Sequence, residues 1–254
     1  MLLTLSRMSF KRQSGKSLIH SPWQSICLEK RRKTCILRRY PIYSYHRLLI
    51  KKHLTPKDLH VTFDKYYHKA VALREKYASQ IRILIGFETE YIRPESVQDV
   101  QRLLQKYNFD FCVGSLHHVL GISIDYNIEL WQKAQQVCGG TDELLYAKYF
   151  DEQHDLLTRI KPLVIGHFDV IRLWAPDKMV KLSQWPSVWE KVLRNIDTVI
   201  SYGGLFELNS AAFRKGFPEA YPTSEIASVR SFTSLTLTYS GHRWERGQVC
   251  PFRW

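Results

Sequence analysis

Residues 81–91 read Ile-Arg-Ile-Leu-Ile-Gly-Phe-Glu-Thr-Glu-Tyr, a short β-branched and apolar run that ends on a glycine and two carboxylates. Continuous apolar runs of this length, bounded by turn residues, mark strands buried on both faces. Upstream, Thr55-Pro56-Lys57-Asp58 has the residues of a helix start, and apolar and aromatic side chains then recur at helical spacing as far as Tyr77. Downstream, Pro94-Glu95-Ser96 opens a helix to about Tyr107, and residues 109–113 form a second strand. Helical patterns follow at 128–137 and 142–160, then a strand at 163–166. A helix opening at Trp185-Pro186-Ser187 runs to Ser201, a strand spans 205–208, and a last helix opens at Tyr221-Pro222-Thr223. Strands alternating with helices of ten or more residues predict an α/β fold built on a parallel sheet, open or closed into a barrel. In a closed sheet the polar residues at the C-terminal strand ends share one mouth.

Composition narrows the function classes. The net charge is +13, but residues 1–52 hold 13 Lys/Arg against the one acid Glu29, and residues 228–254 hold four against Glu245, which leaves −2 for residues 53–227. A basic reading therefore applies to the tails alone, and the middle gives no reason to expect nucleic acid. No run of about eighteen apolar residues occurs, so no membrane span is expected. The five cysteines (Cys27, Cys35, Cys112, Cys138 and Cys250) are an odd number without a Cys-x-x-Cys pair, which disfavours a disulfide framework and a thiolate metal site.

Four strand ends carry chemistry: Gly86-Phe87-Glu88-Thr89-Glu90, Gly114-Ser115-Leu116-His117-His118, Gly166-His167-Phe168-Asp169 and Glu207-Leu208-Asn209-Ser210. A single His after a strand is more often a hydrogen-bonded structural residue than a ligand. One carboxylate and two imidazoles at equivalent positions of successive units instead form an oxygen and nitrogen donor set suited to zinc, iron or manganese.

The strings IGFETEYI (85–92), FDFCVGSLHHV (109–119), VIGHFDVIRLW (164–174) and FELNSAAFRKGFPEAYPT (206–223) together resemble the histidinol-phosphatases of the polymerase and histidinol phosphatase (PHP) superfamily. The resemblance covers about residues 55–225. It implies a distorted (β/α)7 barrel, a cluster of up to three divalent metals, and hydrolysis of L-histidinol phosphate, a small phosphate ester, in histidine biosynthesis. It makes Glu88 a metal-bridging carboxylate, His117 and His167 metal ligands, and Arg172 and Arg214 phosphate-gripping residues. Glu90, His118 and Asp169 would stand behind the ligands. Guanidinium suits phosphate because its fork of donors meets two oxygens at once, although an arginine outside such a context is usually a solvated charge.

The chain departs from the family pattern at both ends. It has no His-x-His or Glu-His near its start and no Asp-x-His near its end, so the barrel is expected to be incomplete at both, the metal cluster short of ligands, and turnover small. The expected division is an atypical basic segment at 1–53, a PHP barrel core at 54–227 and an atypical basic tail at 228–254. Residues 1–43 show neither helical nor strand periodicity. One account is translation out of frame: shifted by one base, residues 1–40 can encode an amphipathic helix, a buried strand and a Glu-His at its end, and 233–239 an Asp-x-His. A transcript incompatible with the shifted string rules this out. The rival account is an Arg- and Ser-rich mitochondrial presequence, where the family otherwise implies a cytoplasmic enzyme. Two other function classes remain: a non-catalytic barrel remnant that holds RNA or an acidic partner through its basic tails, and a PHP phosphoesterase acting on nucleic-acid ends.

Overall fold

The computed structural model describes residues 24–28, 34–39, 56–229 and 238–240, with backbone alone for the strands at 24–28, 34–39 and 238–240. The out-of-frame and presequence readings, and the basic tails on which RNA binding would depend, fall largely outside these residues.

The described residues open with β1 (Gln24–Leu28) and β2 (Thr34–Arg39), followed by α1 (Pro56–Lys76), β3 (Arg82–Glu90), α2 (Ser96–Lys106) and β4 (Phe111–Ser115). A two-stranded hairpin, β5 (His118–Val119) and β6 (Ile122–Ser123), leads into α3 (Ile128–Val137) and α4 (Asp142–Ile160). Then come β7 (Val164–Ile165), 3-10 turns at Val170–Trp174 and Leu182–Gln184, α5 (Pro186–Ser201), β8 (Leu205–Asn209), the short α6 (Ala211–Arg214) and α7 (Ser224–Ala227), and β9 (Thr238–Ser240). Seven strands form one sheet in the order β1-β2-β3-β4-β7-β8-β9. Every neighbouring pair in it is parallel except β1 with β2. The expected α/β class with a parallel sheet is found. The two ends of the strand order, β1 and β9, approach one another, as they do when a twisted sheet curls toward a barrel.

β3 is the central strand, parallel to β2 on one side and β4 on the other. Pairing on both sides explains why it is buried from Ile83 onward apart from Leu84, and why an apolar run rather than an alternating one encodes it. α1 begins with Pro56 and places Asp58 in its first turn and Arg74 and Lys76 in its last, charges that suit the helix dipole. It packs Phe63, Tyr66 and Ala70 onto Ile83, Ile85 and Phe87. Tyr66 Oη donates to the carbonyl of Gly86 at 2.6 Å. A side chain at Gly86 would meet the Phe111 ring at 2.4 Å, so the absence of a Cβ there lets β3 and β4 pair with the ring folded across.

A larger core fills the other half of the molecule, where α4 and α5 pack on one another and share a cluster with Ile165 of β7 and Phe206 of β8. Asn127 and Thr141 cap α3 and α4 through their side-chain oxygens, as N-cap residues of these types do. The helices also hold the loop after β7. Trp131 Nε1 donates to the carbonyl of Ile171 at 2.8 Å, while Tyr149 Oη and Gln153 Nε2 donate to that of Phe168 at 3.1 and 2.8 Å. The loop carrying His167 is therefore tied by three side chains from α3 and α4.

Several elements differ from expectation. The first core strand does not stop at Gly86 but continues through Phe87–Glu90, because β4 offers pairing partners as far as Ser115, opposite Glu90. The hairpin at 118–123 has no counterpart in the sequence pattern, and the helix expected from Tyr221 is one turn long. Within residues 1–43, where no periodicity is present, the backbone nevertheless forms β1 and β2. No helix among the described residues is long and apolar enough to cross a membrane.

Candidate metal centre

Glu88 and Glu90 lie two apart on β3, so the pleat sends both side chains to the same face. The neighbouring β4 ends at Ser115, two residues before His117, and β7 ends at Ile165, two before His167. Parallel pairing of β3 with β4 and of β4 with β7 thus delivers all three chain segments to one end of the sheet.

One ligand atom each from Glu88, His117 and His167 lies within 4.8 Å of the others, and all three residues are buried. The two imidazoles face each other through Nε2, 2.9 Å apart, with ring centroids separated by 4.7 Å. Glu88 Oε1 stands 3.6 Å from His167 Nε2. Several groups around this carboxylate and these rings are anchored. Ser115 Oγ donates to Glu88 Oε1 at 2.7 Å. His117 Nδ1 meets Glu90 Oε2, and His118 Nδ1 meets the other oxygen of the same carboxylate, each at 3.0 Å. The backbone amide of His167 donates to Glu207 Oε2 at 3.0 Å, which also accepts from Asn209 Nδ2 at 3.0 Å.

The charges are strongly coupled. Burial works against protonating His117, but the Glu90 carboxylate, with Asp125 and Glu88, outweighs it and lifts the imidazole to about 10. Burial likewise works against an ionised Glu90, yet His117 and His118 hold its carboxyl down at about 2.

The donor set fits a divalent cation. Two Nε2 atoms at 2.9 Å can share one proton at most, whereas a cation between them and the carboxylate accepts a lone pair from each. With Nδ1 of His117 bonded to a carboxylate, Nε2 is the nitrogen that would give up its proton to a cation, the arrangement that orients imidazole ligands at metal sites.

The sequence-predicted residues divide in two. Glu88, Glu90, His117, His118 and His167 come together. Asp169 is fully buried and directed away, its Oδ2 bonded to Arg172 Nη1 at 3.2 Å and to the amide of Thr223 at 3.3 Å. Burial pushes its carboxyl up, opposed by Arg172. Arg172 is buried as well; its Nη2 donates to the carbonyl of Lys178 at 2.6 Å, and its guanidinium lies 5.7 Å from the Phe217 ring centroid. Arg214 is exposed at the end of α6, just past β8. Ser115, Glu207 and Asn209 were quoted in the sequence motifs but given no role. Their signal was the alternation along β4 and β8, which turns Ser115 toward Glu88 and Glu207 toward the His167 backbone.

Gly166 lets these strands close on the site. A Cβ there would lie 2.4 Å from Ser115 Oγ and 3.2 Å from Val113 Cγ1. Gly166→Ala is expected to force the Ser115 hydroxyl off Glu88, costing about 1–3 kcal/mol as overpacking does and weakening metal binding. Thermal unfolding with and without added zinc checks both; an unchanged melting temperature in each refutes the close approach.

Comparison with known proteins shows the family to which this fold belongs. A "Probable histidinol-phosphatase" of Schizosaccharomyces pombe is 50% identical over 193 residues, covering 75% of this chain and 63% of that protein. The "Histidinol-phosphatase" of Saccharomyces cerevisiae is 30% identical over 197 residues, covering 67% and 59%. The chain thus spans about three-fifths of the length of these relatives. A solved structure from Listeria monocytogenes, titled "putative histidinol phosphatase hisK", shares the fold with a TM-score of 0.57 at 24% identity, over 70% of each chain. Residues 38–211 match the family model described as the PHP domain, and with two thirds of its length inside that match the chain belongs to the PHP domain family.

Proposed function

We propose that the chain is a metal-dependent phosphomonoesterase that hydrolyses L-histidinol phosphate to L-histidinol and phosphate, and that Glu88, His117 and His167 hold its divalent ion. The observation that carries this is the convergence of one carboxylate and two imidazole Nε2 atoms, from three separate strand ends, within 4.8 Å. The substrate follows from the names of the two curated relatives. A small ester is also what a segment with net charge −2 over residues 53–227 suits.

A bound divalent ion of the zinc, iron or manganese kind supplies the positive charge that draws electron density from the phosphoryl oxygens and makes a water acidic enough to attack. The protein's part is placement. Ser115 fixes the Glu88 carboxylate, Glu207 fixes the backbone of His167, and the buried walls keep bulk water from loosening the set. Arg214, exposed just after β8, is the arginine we assign to a phosphate arriving from solvent. We place the enzyme in the cytoplasm, where small phosphate esters are processed.

Among the described residues three ligands meet at one point, a set that can hold one ion. Incubating the full-length chain with L-histidinol phosphate and Mn2+ or Zn2+ should release phosphate, and prior chelation should abolish the release. Release unaffected by chelation, or none at any metal loading, overturns the assignment.

A further inference from the structure

We infer that Glu90 is a positioning residue that aims the metal-facing nitrogen of His117, and that His118 serves by clamping Glu90. This rests on the metal-binding reading above and adds to it two residues that touch no ion. Glu90 is only 3% exposed, yet neither of its oxygens is idle. Oε2 meets His117 Nδ1 and Oε1 meets His118 Nδ1, both at 3.0 Å. A carboxylate bonded on one side alone can swing about its terminal torsion, which is broad for this kind of bond. With an imidazole on each oxygen it cannot.

Consecutive residues on a strand point to opposite faces. His117 and His118 can converge on one carboxylate because His117 follows the end of β4 and His118 begins β5, so the backbone turns between them. The turn is held by the amide of Ile124 donating to the carbonyl of His117 at 2.9 Å. The pairing holds a proton on His117 Nδ1, so that Nε2, which faces His167 and Glu88, is the nitrogen left to bind a metal ion. A ring free to flip would present either nitrogen. A merely structural reading, in which Glu90 neutralises two buried rings, predicts loss of stability without loss of affinity in the protein that remains folded.

The test titrates Co2+ into the full-length wild-type chain, Glu90→Gln and His118→Ala, in competition with a chromophoric chelator. Thermal unfolding of each metal-free protein and the visible spectrum of bound Co2+ are recorded alongside. Glu90→Gln is expected to weaken Co2+ binding about 10- to 100-fold, the range for partners that orient a ligand, and to alter the Co2+ spectrum. His118→Ala, at the more exposed ring, should weaken binding several-fold while leaving Glu90 in place, which keeps the inference testable should Glu90→Gln unfold. Wild-type affinity in the folded fraction of both variants overturns the positioning role while leaving the metal site standing. A wild-type chain that binds no Co2+ overturns the site and this inference together.

Discussion

Replacing His167 with alanine is expected to abolish metal binding at the strand-end site, with affinity falling by more than about 100-fold, beyond what loss of an outer hydrogen-bond partner produces. His167 Nε2 lies 2.9 Å from His117 Nε2 and 3.6 Å from Glu88 Oε1, so its loss removes the one atom in contact range of both other ligand groups. The fold should tolerate the change. His167 Nδ1 is buried and finds no hydrogen-bond partner among the described residues, so truncation deletes a desolvated polar atom along with the ring, and the two terms offset. A metal-free stability within about 1 kcal/mol of wild type is expected, since deleting an unsatisfied group recovers roughly what the lost packing costs. Isothermal titration with Zn2+ and urea unfolding of the metal-free protein measure the two quantities separately. Zinc binding at wild-type strength in His167→Ala would remove this residue from the site and leave Glu88 and His117 without their third donor.

The core of the fold was legible because its strands are buried on both faces. Residues 81–86, 109–113, 163–166 and 205–208 all read as apolar runs, and each holds a strand of the sheet. The site was legible for a related reason. Charged and imidazole side chains directly after such runs have no apolar packing to satisfy, and in a parallel sheet they gather at one end. Pairwise detail was not. That β3 runs to Glu90 depends on β4 pairing as far as Ser115, a tertiary fact with no local signal. The hairpin at 118–123 turns through Leu120 and Gly121, both at positive φ, and only the glycine advertises that conformation. β1 and β2 lie in a stretch with no strand alternation, and β2 is held by its pairing with β3 over six residues. Arg172 is a further case of pairwise detail. A motif can say that an arginine belongs near a phosphate, but only coordinates show that both of its terminal nitrogens are already engaged.

Those engagements set the second large expectation, that Arg172→Ala destabilises the protein by about 3–5 kcal/mol, the cost of breaking a buried ion pair from one side. Arg172 is 3% exposed and Asp169 is 0% exposed, so the carboxylate left behind could not turn to water. Arg172 Nη1 supplies one of the two bonds on Asp169 Oδ2, the other coming from the Thr223 amide, while Oδ1 has no partner among the described residues. The substitution also strands the Lys178 carbonyl and removes the guanidinium from the Phe217 ring. Because the destabilisation comes from an orphaned carboxylate, Asp169→Ala in the same chain should recover part of it, and urea unfolding of both single variants and the double variant gives the coupling between them. The family resemblance makes a different prediction. An arginine that grips phosphate would raise KM for L-histidinol phosphate on truncation and leave the unfolding midpoint near wild type. The ion pair is the contact already made, since the guanidinium spends one N–H of Nη1 on Asp169 and one of Nη2 on the Lys178 carbonyl, and its Nε is buried without a partner among the described residues. A raised KM with unchanged stability would return Arg172 to the phosphate, and would mean that the Asp169 pair opens when substrate binds.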